Sequence, residues 1–359
     1  MKRTVLFLAS LLAFTCGWSQ NLSKSESKSL QAFMSQASVK GGSNADALGF
    51  TGGNLSGVPG VTVSADGHIT AIDWQNKNLA GNLNLSNFPQ LQKINVSGNK
   101  LTALTVDNNP MLVEVNASHN RIAEVSLNNC PQVQNLRLNR NRLAEIEFSG
   151  IPLLKKLNIA GNQMESLNVS DAVNLQYLNC MSNRLEELTV AGCQELKTIY
   201  AGYNDLTGIT LSGLLKLENL NLSGNKIANL YLQDLPALNT LICNDNHMVQ
   251  LAINNCKNIN DVYAPYNDLT SFTVENAPVL ATVSLEWNDL TQLSLTNLNF
   301  LQRVNVANNQ LTLLDLSFDS MLYYLNITNN YNLTDLRLVG DEQLRQVVGE
   351  SWGDLDNAI

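Results

Sequence analysis

The chain has 359 residues, of which 15% are charged and 44% hydrophobic, and its formal net charge is −9. This is too apolar for a disordered protein, and the negative field works against nucleic acid or an anionic membrane surface as a partner. Length alone admits two or three domains, but an unbroken internal repeat argues for one elongated body.

Residues 1–19 read as a signal peptide. Lys2 and Arg3 give the positive start, Val5 to Phe14 the apolar core, and Gly17-Trp18-Ser19 a small-residue exit before cleavage ahead of Gln20. That core is about half of a bilayer span, and no later apolar run is long enough to cross one. Export is therefore expected, to the cell surface or the medium, with the periplasm open. A lipid anchor on Cys16 is disfavoured by the bulky Phe14. Residues 20–68 read as an N-terminal cap. Leu30, Phe33, Met34 and Ala37 have the spacing of an amphipathic helix, with Ser25, Ser27 or Ser29 to cap it. Residues 41–60, rich in Gly, Ser and Asn, read as loop. The runs Val61-Thr62-Val63 and Ile69 to Trp74 flank Asp66-Gly67 as a hairpin.

Residues 69–340 repeat. Leu91-x-x-Ile94-x-Val96-x-x-Asn99-x-Leu101 returns every 21 residues, and its ninth place is always Asn: Asn99, Asn120, Asn141, Asn162, Asn183, Asn204, Asn225, Asn246, Asn267, Asn288, Asn309 and Asn330. A first coil with Lys77 in place of the Asn precedes these twelve, giving about 13 coils. The last coil gains a residue around Tyr331-Asn332, and residues 341–359 read as a C-terminal cap or tail. The first, fourth and sixth places point inward, the residues between them outward, as a short strand. The Asn follows that strand where turn backbone would otherwise be buried unpaired, so the Asn column is scaffold. Cys180 and Cys243 take the sixth place; Cys130, Cys193 and Cys256 take the nineteenth, where sister coils carry Leu or Ile. They read as core thiols, with Cys180–Cys193 or Cys243–Cys256 bonds as the alternative.

The three apolar places and the Asn resemble leucine-rich repeats. An echo in the other half of each coil, such as Leu185-x-x-Leu188-x-Val190, makes this nested form similar to the 21-residue class of bacterial surface proteins, including internalin J-type repeats and Bacteroidetes proteins. Leu30 to Leu83 resembles plant-type leucine-rich-repeat caps without their Cys pair. The resemblance implies a mostly β repeat solenoid: a right-handed superhelix with a parallel sheet and little helix outside the cap.

Solenoids bind with the exposed residues of their sheet, so the third, fifth, seventh, eighth and tenth places are the informative ones. Tyr200 and Tyr203 share one coil, and Tyr263 and Tyr266 another at the same two places. Trp287 follows in the next coil, and Ile242 lies between the tyrosines. Exposed aromatics are enriched at binding hot spots. The alternative is a ladder that merely covers strand backbone. Asp205, Asp245, Asp261, Asp268, Glu286 and Asp289 surround them, which suits a basic peptide or a sugar. A second, basic region holds His119, Arg121, Arg137, Arg140 and Arg142. It reads either as a site for an anionic partner or as a solvated surface ion-paired to Glu114, Glu124, Glu145 and Glu147. Only three histidines exist, far apart in sequence, and no run resembles a calcium loop. No catalytic set, metal or cofactor is therefore expected. The leading expectation is a secreted or surface-displayed binding protein that holds a protein partner for adhesion or recognition. Carbohydrate binding at the same patch and a passive envelope spacer are the alternatives.

Overall fold

The computed structural model describes residues 22–341 and 343–349; the signal-peptide region, Cys16 and Trp352 lie outside them. Helix α1 (Lys24–Met34) buries Leu30, Phe33 and Met34. Its cap is Ser23, not a later serine: Ser23 is extended (φ −55°, ψ 147°) and its hydroxyl accepts the Glu26 N–H. A cap must sit outside the helix, and Ser25, Ser27 and Ser29 are already inside it. The expected loop at residues 41–60 holds structure as well. Ser43 and Asp46 bond reciprocally as a capping box that starts a short helix α2 (Asn44–Leu48), and Leu55–Gly57 forms one 3-10 turn.

Strands β1 (Val61–Val63) and β2 (Ile69–Asp73) pair antiparallel, and the cap closes over them. Phe33 stacks on the buried Trp74 at 5.6 Å, and the Trp74 indole donates to the Pro59 carbonyl. The fully buried Glu26 accepts from His68 Nδ1 at 3.2 Å and from the Ile69 N–H at 3.3 Å, tying α1 to β2. Asn44 bonds both ways with Ala80 and so joins α2 to the first coil. The apolar end of the stacked core is thereby covered, as a solenoid requires.

From β2 onward the chain winds as a β-solenoid. The third to fifth places of each coil form one three-residue strand, from Lys93–Asn95 to Tyr324–Asn326. These join a 15-stranded sheet that is parallel after its first pair and ends at Gln346–Val348. The opposite side carries four separate sheets of two or three strands. Residues 145–147 and 208–210 form no strand there, and Ser271–Glu275 does not pair with Gln292–Ser294, so this back ladder breaks three times. No helix among the described residues is long and apolar enough to cross a membrane.

The Asn column is a hydrogen-bond ladder. Asn204 is typical: its Oδ1 accepts the Leu185 N–H at 3.1 Å, and its amide donates to the carbonyls of Cys180 (3.1 Å) and Ala201 (3.0 Å). Each sixth-place carbonyl inside the stack serves two consecutive asparagines, as Ala201 does for Asn204 and Asn225.

All five described cysteines are buried and free. Burial pushes the Cys180 thiol up to about 12 and Cys193 up to about 11. Thiolate, the reactive form, is thus absent at neutral pH. Iodoacetamide applied to the native protein, followed by peptide mass mapping, is expected to leave Cys130, Cys180, Cys193, Cys243 and Cys256 unmodified until denaturant is added. Alkylation of any of them in the folded chain would contradict this packing.

Candidate functional site

The exposed face of the long sheet is built by the third and fifth places, and the chain then turns through the eighth. In all twelve regular coils the eighth residue has a left-handed backbone, with φ between 53° and 70°. That conformation suits Gly and is tolerated by Asn and Asp; for a bulky side chain it costs roughly 1–2 kcal/mol. Six sister coils comply with Gly98, Gly161, Gly224, Asp245, Asn308 and Asn329; His119, Arg140 and Ser182 also adopt it, and Tyr203, Tyr266 and Trp287 are held there at φ 56–59°. These residues are about half exposed, at 56%, 52% and 52%.

Side chains at this place lean toward the next coil. The Tyr203 ring lies across Gly224 so closely that a Cβ on Gly224 would meet Tyr203 Cδ1 at 2.7 Å. Arg140 lies beside Gly161 in the same manner, where an added Cβ would meet its Cγ at 3.4 Å. Three coils further along the glycine is replaced by Trp287, and Tyr266 stacks on it with centroids 5.9 Å apart and planes 12° apart.

The aromatic residues form two groups rather than one patch. Sheet register runs Tyr200, Asn221, Ile242, Tyr263, Ser284 across five strands. Tyr200 and Tyr263 are therefore three strands apart, roughly 14 Å. Tyr200 meets Tyr177 edge-on at 5.8 Å, a partner at the third place that reading the fifth and eighth columns overlooks. No ring contact joins the two groups among the described residues. Between them lies a polar floor of Asn221, Ser223, Asn244 and Asp245, in which Ser223 donates to Asn244 and Asn244 to Asp245. Ile242, Tyr200 and Tyr263 are half-buried.

The surrounding acids differ in what they offer. Asp205 is paired with Lys226 at 2.7 Å and Asp268 lies 3.5 Å from His247. Glu286 accepts from Ser284, and Asp289 from Gln310. Asp245, Asp261 and Glu286 have no cationic partner among the described residues. Burial first, and then the charge of Asp261, raise the Tyr263 hydroxyl pKa above the usual tyrosine value. Arg303 approaches the same end of the face and sits over the Tyr324 ring at 4.5 Å, a contact that sequence reading did not single out.

In the basic region Arg121, Arg137, Arg140 and Arg142 are all exposed, as is His119. The expected ion-pair network is mostly absent. Arg137 reaches Glu114 at 3.1 Å, but Arg121, Arg140 and Arg142 pair with none of Glu124, Glu145 and Glu147. Those glutamates belong to the other half of their coils, where Glu124, Glu145 and Glu147 line a groove of about 330 Å³ on the back side. No cluster of His, Cys, Asp and Glu arranged to hold a metal occurs among the described residues.

No family model and no curated protein matches the sequence. Solved structures do. The functional domain of InlJ from Listeria monocytogenes, described as including a cysteine ladder, is 21% identical with a TM-score of 0.54, over 78% of this chain and 68% of that one. The internalin InlF of Listeria monocytogenes is 18% identical with a TM-score of 0.55, over 89% and 93%. The Arabidopsis receptor kinase HAESA, solved with a peptide hormone and a co-receptor, is 17% identical with a TM-score of 0.52, over 88% and 65%. With its 21-residue coils, its parallel sheet and its Asn ladder, the chain has the leucine-rich-repeat solenoid fold of these proteins.

Proposed function

We propose that this is an exported, surface-displayed or secreted, binding protein that holds a protein partner on the sheet face between its two aromatic groups. The observation that carries this is Tyr203, Tyr266 and Trp287 in left-handed backbone at a place where six of the nine sister coils have Gly, Asn or Asp, the others being His119, Arg140 and Ser182. Residues kept in a costly conformation that the fold does not require cluster at functional sites. The separation of roughly 14 Å equals about four residues of extended chain, so one segment can set an anchor in each group. Asp245, Asp261 and Glu286 suit Lys or Arg in that segment, through charge and through cations over the exposed rings. HAESA, a solenoid of the same fold, is solved with a peptide hormone, which supports a peptide rather than a sugar as the occupant.

The test is a binding screen of the full mature chain against extracellular proteins and a glycan array, beside a Tyr203→Asn/Tyr266→Asn/Trp287→Asn variant. Saturable binding to a protein, lost in the variant and resistant to soluble oligosaccharide, is the expected result. Binding that survives all three changes, or that oligosaccharide abolishes, would remove the proposal.

A further inference from the structure

Two carboxyl groups lie inside the far end of the solenoid, each with one oxygen unpartnered. Asp319 and Asp341 are buried at the nineteenth place of the last two coils. Asp319 Oδ1 accepts the Leu298 N–H at 2.8 Å, and Asp341 Oδ1 accepts the Asp319 N–H at 2.9 Å. The Oδ2 atom of each has no hydrogen-bond partner among the described residues.

Other coils show what this place demands. Asn109 Oδ1 likewise accepts the Phe88 N–H, while its amide donates to the carbonyls of Leu85 (2.9 Å) and Val106 (2.8 Å). Cys130 and Cys193 turn their thiols to the carbonyls of Val106 (2.9 Å) and Val169 (3.1 Å). A polar side chain in this column thus meets carbonyl oxygens and can donate to them, whereas Ile151, Ala172, Leu214, Leu235, Ala277 and Leu298 fill the place with apolar atoms alone. By repeat register the carbonyls equivalent to those of Leu85 and Val106 are Leu295 and Leu316 for Asp319, and Leu316 and Leu338 for Asp341. A carboxylate there presents an acceptor to acceptors; a carboxylic acid supplies the donor.

We propose that Asp319 and Asp341 are carboxylic acids in the folded protein in mild acid and act as a proton-dependent latch on the last two coils, which loosen as pH rises. Burial pushes Asp319 up to about 8 and Asp341 up to about 6; the charge of Asp341 adds to the first and that of Asp315 to both. The charged groups that act on the pair are Asp315 on both and Asp341 on Asp319; Arg337 engages Asp315 at 3.4 Å and Asp335 at 2.6 Å, while the preceding coil presents the apolar Leu298. The guanidinium forms no hydrogen bond to either buried Oδ2. A folded-state pKa above the unfolded value of about 4 means that the folded chain retains protons which the unfolded chain releases. Stability is thus highest in acid, falls as pH rises from about 4, and levels off above the folded pKa values. Beyond the last coil only the strand Gln346–Val348 stacks on the sheet among the described residues, so the opening is local.

The test is hydrogen exchange, read by mass spectrometry, on the full chain and on Asp319→Asn/Asp341→Asn. Asn109 shows that an amide fits this place and donates at any pH. After correction for intrinsic rates, peptides covering residues 313–338 of the parent are expected to lose protection by about tenfold or more between pH 5 and pH 8.5. The Asn variant is expected to keep its protection, with residues 154–180 unchanged in both proteins. Equal pH responses in parent and variant would overturn the latch. So would protection of the parent at pH 8.5 that calcium restores and chelation removes, since the oxygens would then belong to a cation.

Discussion

Replacing Asn204 with Ala is expected to destabilise the solenoid by about 2–3 kcal/mol. Asn204 Oδ1 is the hydrogen-bond acceptor for the buried Leu185 N–H, so that donor is orphaned. The two carbonyls lose less, because Cys180 keeps the Asn183 amide at 3.0 Å and Ala201 keeps that of Asn225 at 3.1 Å. Removing a buried polar side chain also leaves a small cavity. Urea unfolding followed by circular dichroism would show the loss as a lower midpoint. A change below about 0.5 kcal/mol, the range of ordinary surface substitutions, would mean that the ladder is not what joins adjacent turns.

The fold was legible because its information is periodic. Inward Leu, Ile and Val at fixed places and Asn at the ninth leave one way to bury side chain and backbone together, and the structure has that form. The exceptions share a cause. Helix α2 was hidden because Ser43 and Asp46 sit in a Gly- and Ser-rich run whose composition reads as loop. The left-handed turn at the eighth place was encoded in Gly98, Gly161, Gly224, Asn308 and Asn329, yet the aromatic residues in the same column disguised it. Whether Tyr203 and Tyr266 belong to one patch depends on strand spacing and on the lean of each ring, which a column of letters does not carry. The arginines illustrate the same limit: neighbours in sequence were expected to pair with glutamates that the coil sends to its other side.

The aromatic residues of the eighth place are expected to separate stability from binding. In Tyr203→Asn, left-handed strain of roughly 1–2 kcal/mol is relieved, because Asn adopts this backbone as Asn308 and Asn329 do. What is lost is the cover over Gly224, a partly exposed contact. The net is a gain of about 1 kcal/mol or slightly less, or roughly 2 °C in thermal midpoint for a chain of this size. For Trp287→Asn, loss of the stack on Tyr266, about 0.5–1.5 kcal/mol, offsets the relief and leaves stability nearly unchanged. Affinity for a protein partner should move the other way in both. A central aromatic anchor is worth about 2 kcal/mol or more on truncation, about thirtyfold in Kd.

The most direct test measures Tyr203→Asn beside the parent chain, thermal midpoint and partner affinity on the same preparation. A midpoint equal to or above that of the parent, with affinity weakened at least about tenfold, is the result expected of residues retained for binding. A midpoint lowered by several degrees with affinity intact would contradict it, and would return the aromatic residues to the scaffold.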